Sequence, residues 1–200
     1  MHIEKNICDA IIATLLNIEG KSKDTVKARI DLQNMNIKED LHLRMKGNKV
    51  DKPPAEYVFT LSQRRFFLEF IKFCRFPDGY ASNISRCVKV DEGKLSDLKS
   101  HDCHVLLQRL LPVGIRKHLK KSICTPLVEL AQFFEKICAK TLCTADLDRL
   151  EVEIVIILCK LEKIFPPAFF DIIVHLAVHL PGEAKLTGPV GYRWMYPIER

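Results

Sequence analysis

Ser100-His-Asp-Cys-His104 puts two imidazoles, a thiol and a carboxylate into five residues, and each of these groups can bind zinc. Zinc needs three or four ligands converging tetrahedrally, whereas neighbours at i, i+1 and i+3 of a helix cannot all point one way. His101 and His104 can supply two of them. The rest must come from elsewhere, and "DIIVHLAVHL" offers Asp171, His175 and His179 at i, i+4 and i+8 along one helical face. His101, His104, His175 and His179 are therefore the candidate metal ligands. The commoner alternative is that the 171–179 stripe is only the polar side of an apolar helix, and that Ser100 and Asp102 serve a helix start.

Five cations, Arg109, Arg116, Lys117, Lys120 and Lys121, lie in a window from Cys103 to Val128 that contains no acid. If 114–121 is helical, positions 116, 117, 120 and 121 share a face suited to phosphate contacts and counterion release. A solvated basic face is the plainer reading. The sequence has no glycine-rich phosphate loop, no GxSxG elbow and no HExxH pair. Nothing specifies a Cys–His nucleophile either, and no cofactor is expected.

The elements that must position these groups are helical. Ile3, Ile7, Ile11, Leu15 and Ile18 share a face that Gly20 should end, and a more charged helix is expected over Asp24 to Leu32. Gly47 and Pro53-Pro54 break the pattern. Thr60-Leu-Ser-Gln63 reads as a capping box, with Phe67, Phe70, Ile71 and Cys74 following at helical spacing. Residues 76–100 read as an ordered surface loop rich in turn residues. Next come a helix from Ser100 to Leu111 stopped by Pro112, a resumed helix over Gly114 to Lys121, and a helix opened by Thr125-Pro126. Leu147 to Phe165 is apolar on nearly every side and reads as the central buried helix. A last helix should run from Ala168 to Leu180, ended by Pro181-Gly182.

The class expected is all-α: an irregular multi-helix chain with two long loops. The expected division is an N-terminal helical segment (1–40), a linker (41–58) and a helical domain (59–200). At 48% hydrophobic and 28% charged, the 200 residues suit a packed core rather than disorder. The longest apolar run, Ile154 to Cys159, is far short of the ~20 residues that span a bilayer. Eight cysteines without CxxC spacing, several on apolar faces, suit reduced thiols and an intracellular chain. The net charge of +6 is spread along the chain, so nucleic-acid contact is permitted without being demanded.

Five blocks carry a resemblance: "MHIEKNICDAIIATLLNI", "FPDGYASNISRCV", "LKSHDCHVLLQRLLPVGIR", "LEKIFPPAFFDIIVHLAVHL" and "GPVGYRWMYPIER". Together they resemble the plant CACTA-type (En/Spm-like) transposon protein family, at the end of its transposase region and in the domain of unknown function that follows. In that family an Asp precedes the opening block, completing a D-x-x-H motif that ends here in His2. Gly191 stands where the family is expected to carry Gln.

The resemblance implies a DDE-type, RNase H-like transposase in which three carboxylates hold two Mg²⁺ ions for phosphodiester chemistry. Residues 5–187 would then be an all-helical insertion between the second and third carboxylates. The third carboxylate of related transposases follows an Arg-Trp pair, so Arg193-Trp194 makes Glu199 its candidate remnant. The expectation is a catalytically incomplete fragment, nuclear, acting as a helical scaffold for DNA-end contact or dimerisation, and not itself an enzyme. Its partners would be DNA, the rest of the transposase or a second copy, and no membrane. The alternative is a self-standing, domesticated helical module that binds protein and is stabilised by zinc.

Overall fold

A computed structural model describes residues 2–47, 49–77 and 83–193, the last two by their backbone alone. The chain is all-α. Helix α1 (His2–Leu15) buries the side on which Ile7, Ile11 and Leu15 lie, and ends earlier than Gly20 predicts. Asn17 takes the left-handed conformation (φ 48°), and the Ile18 amide reaches back to the Ala13 carbonyl at 2.9 Å. Asparagine tolerates this geometry, so it stops the helix where glycine was expected to. Helix α2 (Val26–Asn34) starts two residues later than expected because Thr25 caps it, its hydroxyl accepting from the Ala28 amide at 3.2 Å.

The stretch after α2 is held to the body by a buried ion pair. Arg29 is fully buried; its Nε and Nη2 donate to the two Asp24 oxygens at 2.5 and 2.7 Å. Its remaining reach goes to the Leu41 carbonyl (2.6 Å) and the Pro53 carbonyl (3.5 Å). Between those carbonyls a small exposed ribbon, β1 (Arg44–Lys46) antiparallel to β2 (Lys49–Asp51), projects outward. Ala55, Tyr57 and Phe59 then enter the same buried cluster as α1, with the Tyr57 ring 4.9 Å from that of Phe165.

Helix α3 (Leu61–Phe73) begins with the expected box: the Gln63 amide donates to the Thr60 hydroxyl at 3.3 Å, and the Thr60 amide donates to the Gln63 side chain at 2.9 Å. The loop that follows holds a second ribbon, β3 (Val88–Lys89) with β4 (Lys94–Leu95). Strands of two or three residues are too short to register as alternation. Helix α4 (Ser100–Val105) passes through a π turn (Leu106–Leu110) into α5 (Leu111–Gly114), so Pro112 does not stop the run. In the wide turn the Leu111 amide donates to the Leu106 carbonyl, five residues back, and the missing Pro112 N–H is absorbed where the repeat is already shifted.

Residues 115–119 form a tight turn, not the resumed helix expected over 114–121. Helix α6 (Lys121–Ile137) opens four residues before Thr125-Pro126, leaving Pro126 inside it. Helix α7 (Thr144–Glu162) packs along α6, and only the stripe Leu147, Leu150, Ile154, Ile157 and Leu161 is buried. Val152, Val155 and Ile156 are exposed, so the expected central helix is instead a flanking one with an apolar outer side. Its β-branched run filled the wheel and hid which side packs. Helix α8 (Ile172–Leu176) joins α9 (Leu180–Thr187) through a 3₁₀ turn (Ala177–His179), and Pro181 sits in the first turn of α9, where no N–H is required, instead of ending a helix. The buried cluster is continuous from Ile7 to Ala184. Among the described residues no helix is long and apolar enough to cross a membrane.

Candidate functional site

The acid-free window acquires acids once the chain folds. Arg109 pairs with Glu135 of α6 at 2.8 Å, and Lys120 pairs with Glu56. Arg116, Lys117 and Lys121 are exposed, and no ion pair engages them among the described residues. They do not share a helical face as expected, because Arg116 and Lys117 lie in the turn before α6 and Lys121 is its first residue. The turn is closed from below: Cys124 donates its thiol proton toward the carbonyls of Ile115 (3.5 Å) and Leu119 (3.4 Å). Beside it the half-buried His118 ring stacks against exposed Phe66, with centroids 6.3 Å apart and planes 20° apart.

The start of α6 is electrostatically unusual. No side chain caps its first amides, since the residue at the cap position is Lys120, and no acid lies in its first turn. A helix N-terminus carries about half a positive charge, so Lys121 and its neighbours add like charge to the positive pole. Glu56 offsets Lys120 at the cap position, which leaves Arg116, Lys117 and Lys121 as the exposed cations at this helix start. A cleft of about 580 Å³ opens against the same turn, lined by Ser122, Thr125 and Pro126 together with the cations Lys160 and Lys163 and the acids Asp40 and Glu56.

A second polar site lies across the molecule's buried interior. Glu4 of α1 is 3% exposed, and the His104 Nδ1 of α4 stands 3.1 Å from each of its carboxylate oxygens. Gln108, in the π turn, donates its Nε2 to Glu4 Oε1 at 2.8 Å and lies 3.0 Å from His104 Nδ1. Cys138, just past the end of α6, completes the group: ligand-capable atoms of Glu4, His104 and Cys138 all lie within 4.8 Å of one another. Burial, and then the Glu4 charge, push the Cys138 thiol up to about 12. One helical turn along α1, the Cys8 thiol is raised well above its ordinary value, first by its hydrogen bond with Cys103 and next by burial. Cys103 in turn donates to Asp9 at 3.7 Å.

The four candidate histidines do not assemble. His101 and His104 stack at 6.0 Å, and exposed His175 and His179 meet edge-on at 5.3 Å. Among the described residues, however, the one set of three or more ligating groups joins His104 to Glu4 and Cys138 instead. Asp171 caps α8, accepting from the Ile173 and Val174 amides at 3.1 and 3.2 Å, and pairs with Lys23 at 2.8 Å. Asp102 likewise serves the start of α4, accepting from the Lys99 amide at 2.9 Å. Asp102 therefore serves the helix start that the plainer reading gave it, whereas Asp171 is the cap of a helix that begins after it and not a residue on that helix's polar side. Sequence reasoning missed Glu4, Gln108 and Cys138, which are separated by up to 134 positions. The available signal was a glutamate on the apolar side of α1, between Ile3 and Ile7. Glu199 and Trp194 lie outside the described residues.

Residues 137–200 match the family model described as "Domain of unknown function (DUF4218)". The matched stretch begins at the last residue of α6 and takes in two of the resemblance blocks, 161–180 and 188–200. No curated protein and no solved structure matches the chain.

Proposed function

We propose that this chain is a helical scaffold of a CACTA-type transposase that holds DNA by its phosphate backbone, and that it does not itself cut or join strands. The observation that carries the reading is the N-terminus of α6, with no side-chain cap and no acid within its first turn, and with exposed Arg116, Lys117 and Lys121 in no ion pair among the described residues. Cations at the positive pole of a helix cost stability unless an anion sits there. Contacts of this kind position a protein on DNA and read no sequence. The exposed Phe66 ring beside the turn adds a face on which a splayed base can stack.

The test is fluorescence anisotropy with a duplex of arbitrary sequence across a salt series. Each phosphate contact contributes about 0.9 to the slope of log K against log salt, so Arg116→Ala/Lys117→Ala/Lys121→Ala should flatten it by about 2–3. Arg109→Ala, which removes a cation already paired with Glu135, should change it far less. An unchanged slope in the triple variant ends the reading.

A second role, dimerisation, has its own observation. Val152, Val155 and Ile156 are 62%, 45% and 49% exposed on the outer side of α7. Sedimentation of Ile156→Glu against the parent chain tests it: a dimer that dissociates in the variant supports this role, and a parent that is monomeric at every concentration refutes it.

A further inference from the structure

We propose that Glu4, His104 and Cys138 form a zinc site that clamps α1 to α4 and to the junction between α6 and α7. This goes beyond the DNA reading and is independent of it. Three separate elements each present one donor atom, and all of these atoms fall within 4.8 Å of one another. In a tetrahedral zinc site with bonds of ~2.0–2.3 Å, neighbouring donors stand about 3.3–3.7 Å apart. The separation from His104 Nδ1 to Glu4, at 3.1 Å, is already close to that edge.

Proton bookkeeping points the same way. A protonated Nδ1 donates to Glu4 but then faces the Gln108 amide nitrogen, itself a donor, at 3.0 Å. A bare Nδ1 accepts from Gln108 but then turns its lone pair toward the carboxylate. Neither neutral tautomer satisfies both neighbours at these distances. Among the described residues no lysine or arginine pairs with Glu4, so the negative charge of this 3% exposed carboxylate meets no permanent side-chain cation. A divalent ion resolves both problems. It accepts lone pairs from nitrogen, oxygen and sulfur together, and supplies the positive charge that the buried carboxylate needs.

The donor set selects the metal. One thiolate, one imidazole and one carboxylate suit zinc, while Mg²⁺ and Ca²⁺ prefer all-oxygen shells. Rotating the Gln108 amide by half a turn would exchange Nε2 for Oε1 and offer a fourth donor. Otherwise Gln108 holds the Glu4 carboxylate in place as a positioning residue.

The probe is Co²⁺ added to the full chain carrying Cys143→Ser and Cys159→Ser, which removes the two exposed thiols. One equivalent should give visible d–d bands and a thiolate-to-cobalt charge-transfer band, both bleached by Zn²⁺. Cys138→Ser should abolish the charge-transfer band, His104→Asn should abolish tight binding, and Gln108→Ala should weaken it by about 10–100-fold. His175→Asn/His179→Asn should leave the spectrum unchanged. Should Cys138→Ser fail to fold, X-ray absorption of the zinc-loaded parent decides: one sulfur with nitrogen and oxygen neighbours supports the site, and a shell without sulfur overturns it. Absence of the charge-transfer band in the parent, or its survival in folded Cys138→Ser, also overturns it.

Discussion

Replacing Arg29 with methionine should be among the most damaging single changes on the surface-distant side of α2. The substitution keeps length and apolar bulk but leaves the Asp24 carboxylate, 1% exposed, with Lys52 at 3.7 Å as its remaining ion-pair partner among the described residues. Breaking a buried pair by removing one partner costs about 3–5 kcal/mol, and because Lys52 still compensates in part the lower end applies, about 3 kcal/mol. For a chain of this size each kcal/mol moves the thermal midpoint by about 2–4 °C, so a fall of about 6–12 °C is expected. Calorimetry or thermal circular dichroism at pH 7 measures it. The double change Asp24→Leu/Arg29→Met should recover more than half of the loss. The residual, about 1 kcal/mol and below about 1.5, reflects the Leu41 and Pro53 carbonyls that lose their donor. Acid supplies an independent check. Burial alone would raise the Asp24 carboxyl, but the Arg29 hydrogen bonds and charge outweigh it and hold the group below its ordinary 3.8. A depressed carboxyl contributes stability above its unfolded value and loses it as pH falls through the folded one. The parent's advantage over Asp24→Asn should therefore be flat from pH 5 to 8 and shrink below about pH 4. A midpoint shift of less than about 2 °C in Arg29→Met, or a double variant that simply sums the single losses, would refute the clamp.

Three further outcomes are expected. Gly114→Ala brings a Cβ to 2.7 Å from the Phe67 ring and 3.3 Å from Phe70, so it should cost about 1–3 kcal/mol by chemical denaturation, and a neutral result would mean that α3 and α5 are not in close contact. Thr60→Ala removes the side-chain acceptor of the α3 box and should cost about 1 kcal/mol in the same assay, while Thr60→Ser should cost little. On α7, Ile154→Ala should cost about 2–5 kcal/mol and Val155→Ala within about 0.5, and a reversal of that order would mean the helix packs by its other side.

Helix existence was readable wherever apolar spacing repeated, as in α1, α3 and α6, because burial of one stripe is what stabilises such helices. Their ends were not. Prolines at 112, 126 and 181 read as punctuation but lie within helical runs: a π turn and a first-turn position absorb the missing amide at 112 and 181, while Pro126 lies inside α6 and forgoes one helical bond there. Asn17 ended α1 for a reason local to its own backbone. At the candidate sites the basic residues were legible by composition. Which of them stay unpaired was not, because Glu56 and Glu135 arrive from other elements. The Glu4–His104–Cys138 group was invisible for the same cause, as its members meet only through packing of α1, α4 and the end of α6.

The junction at Ile137 and Cys138 bears on where this sequence can be divided. The region of recognised similarity starts at 137, yet α7 has its longest packing surface against α6, which lies almost wholly upstream. A copy trimmed to 137–200 would lose Leu127, Leu130 and Phe134, the residues α6 contributes from its buried side. The matched stretch and the packed unit are then different lengths. A fragment of this chain cut at 137 should therefore expose the apolar stripe of α7, Leu147, Leu150, Ile154, Ile157 and Leu161, to water.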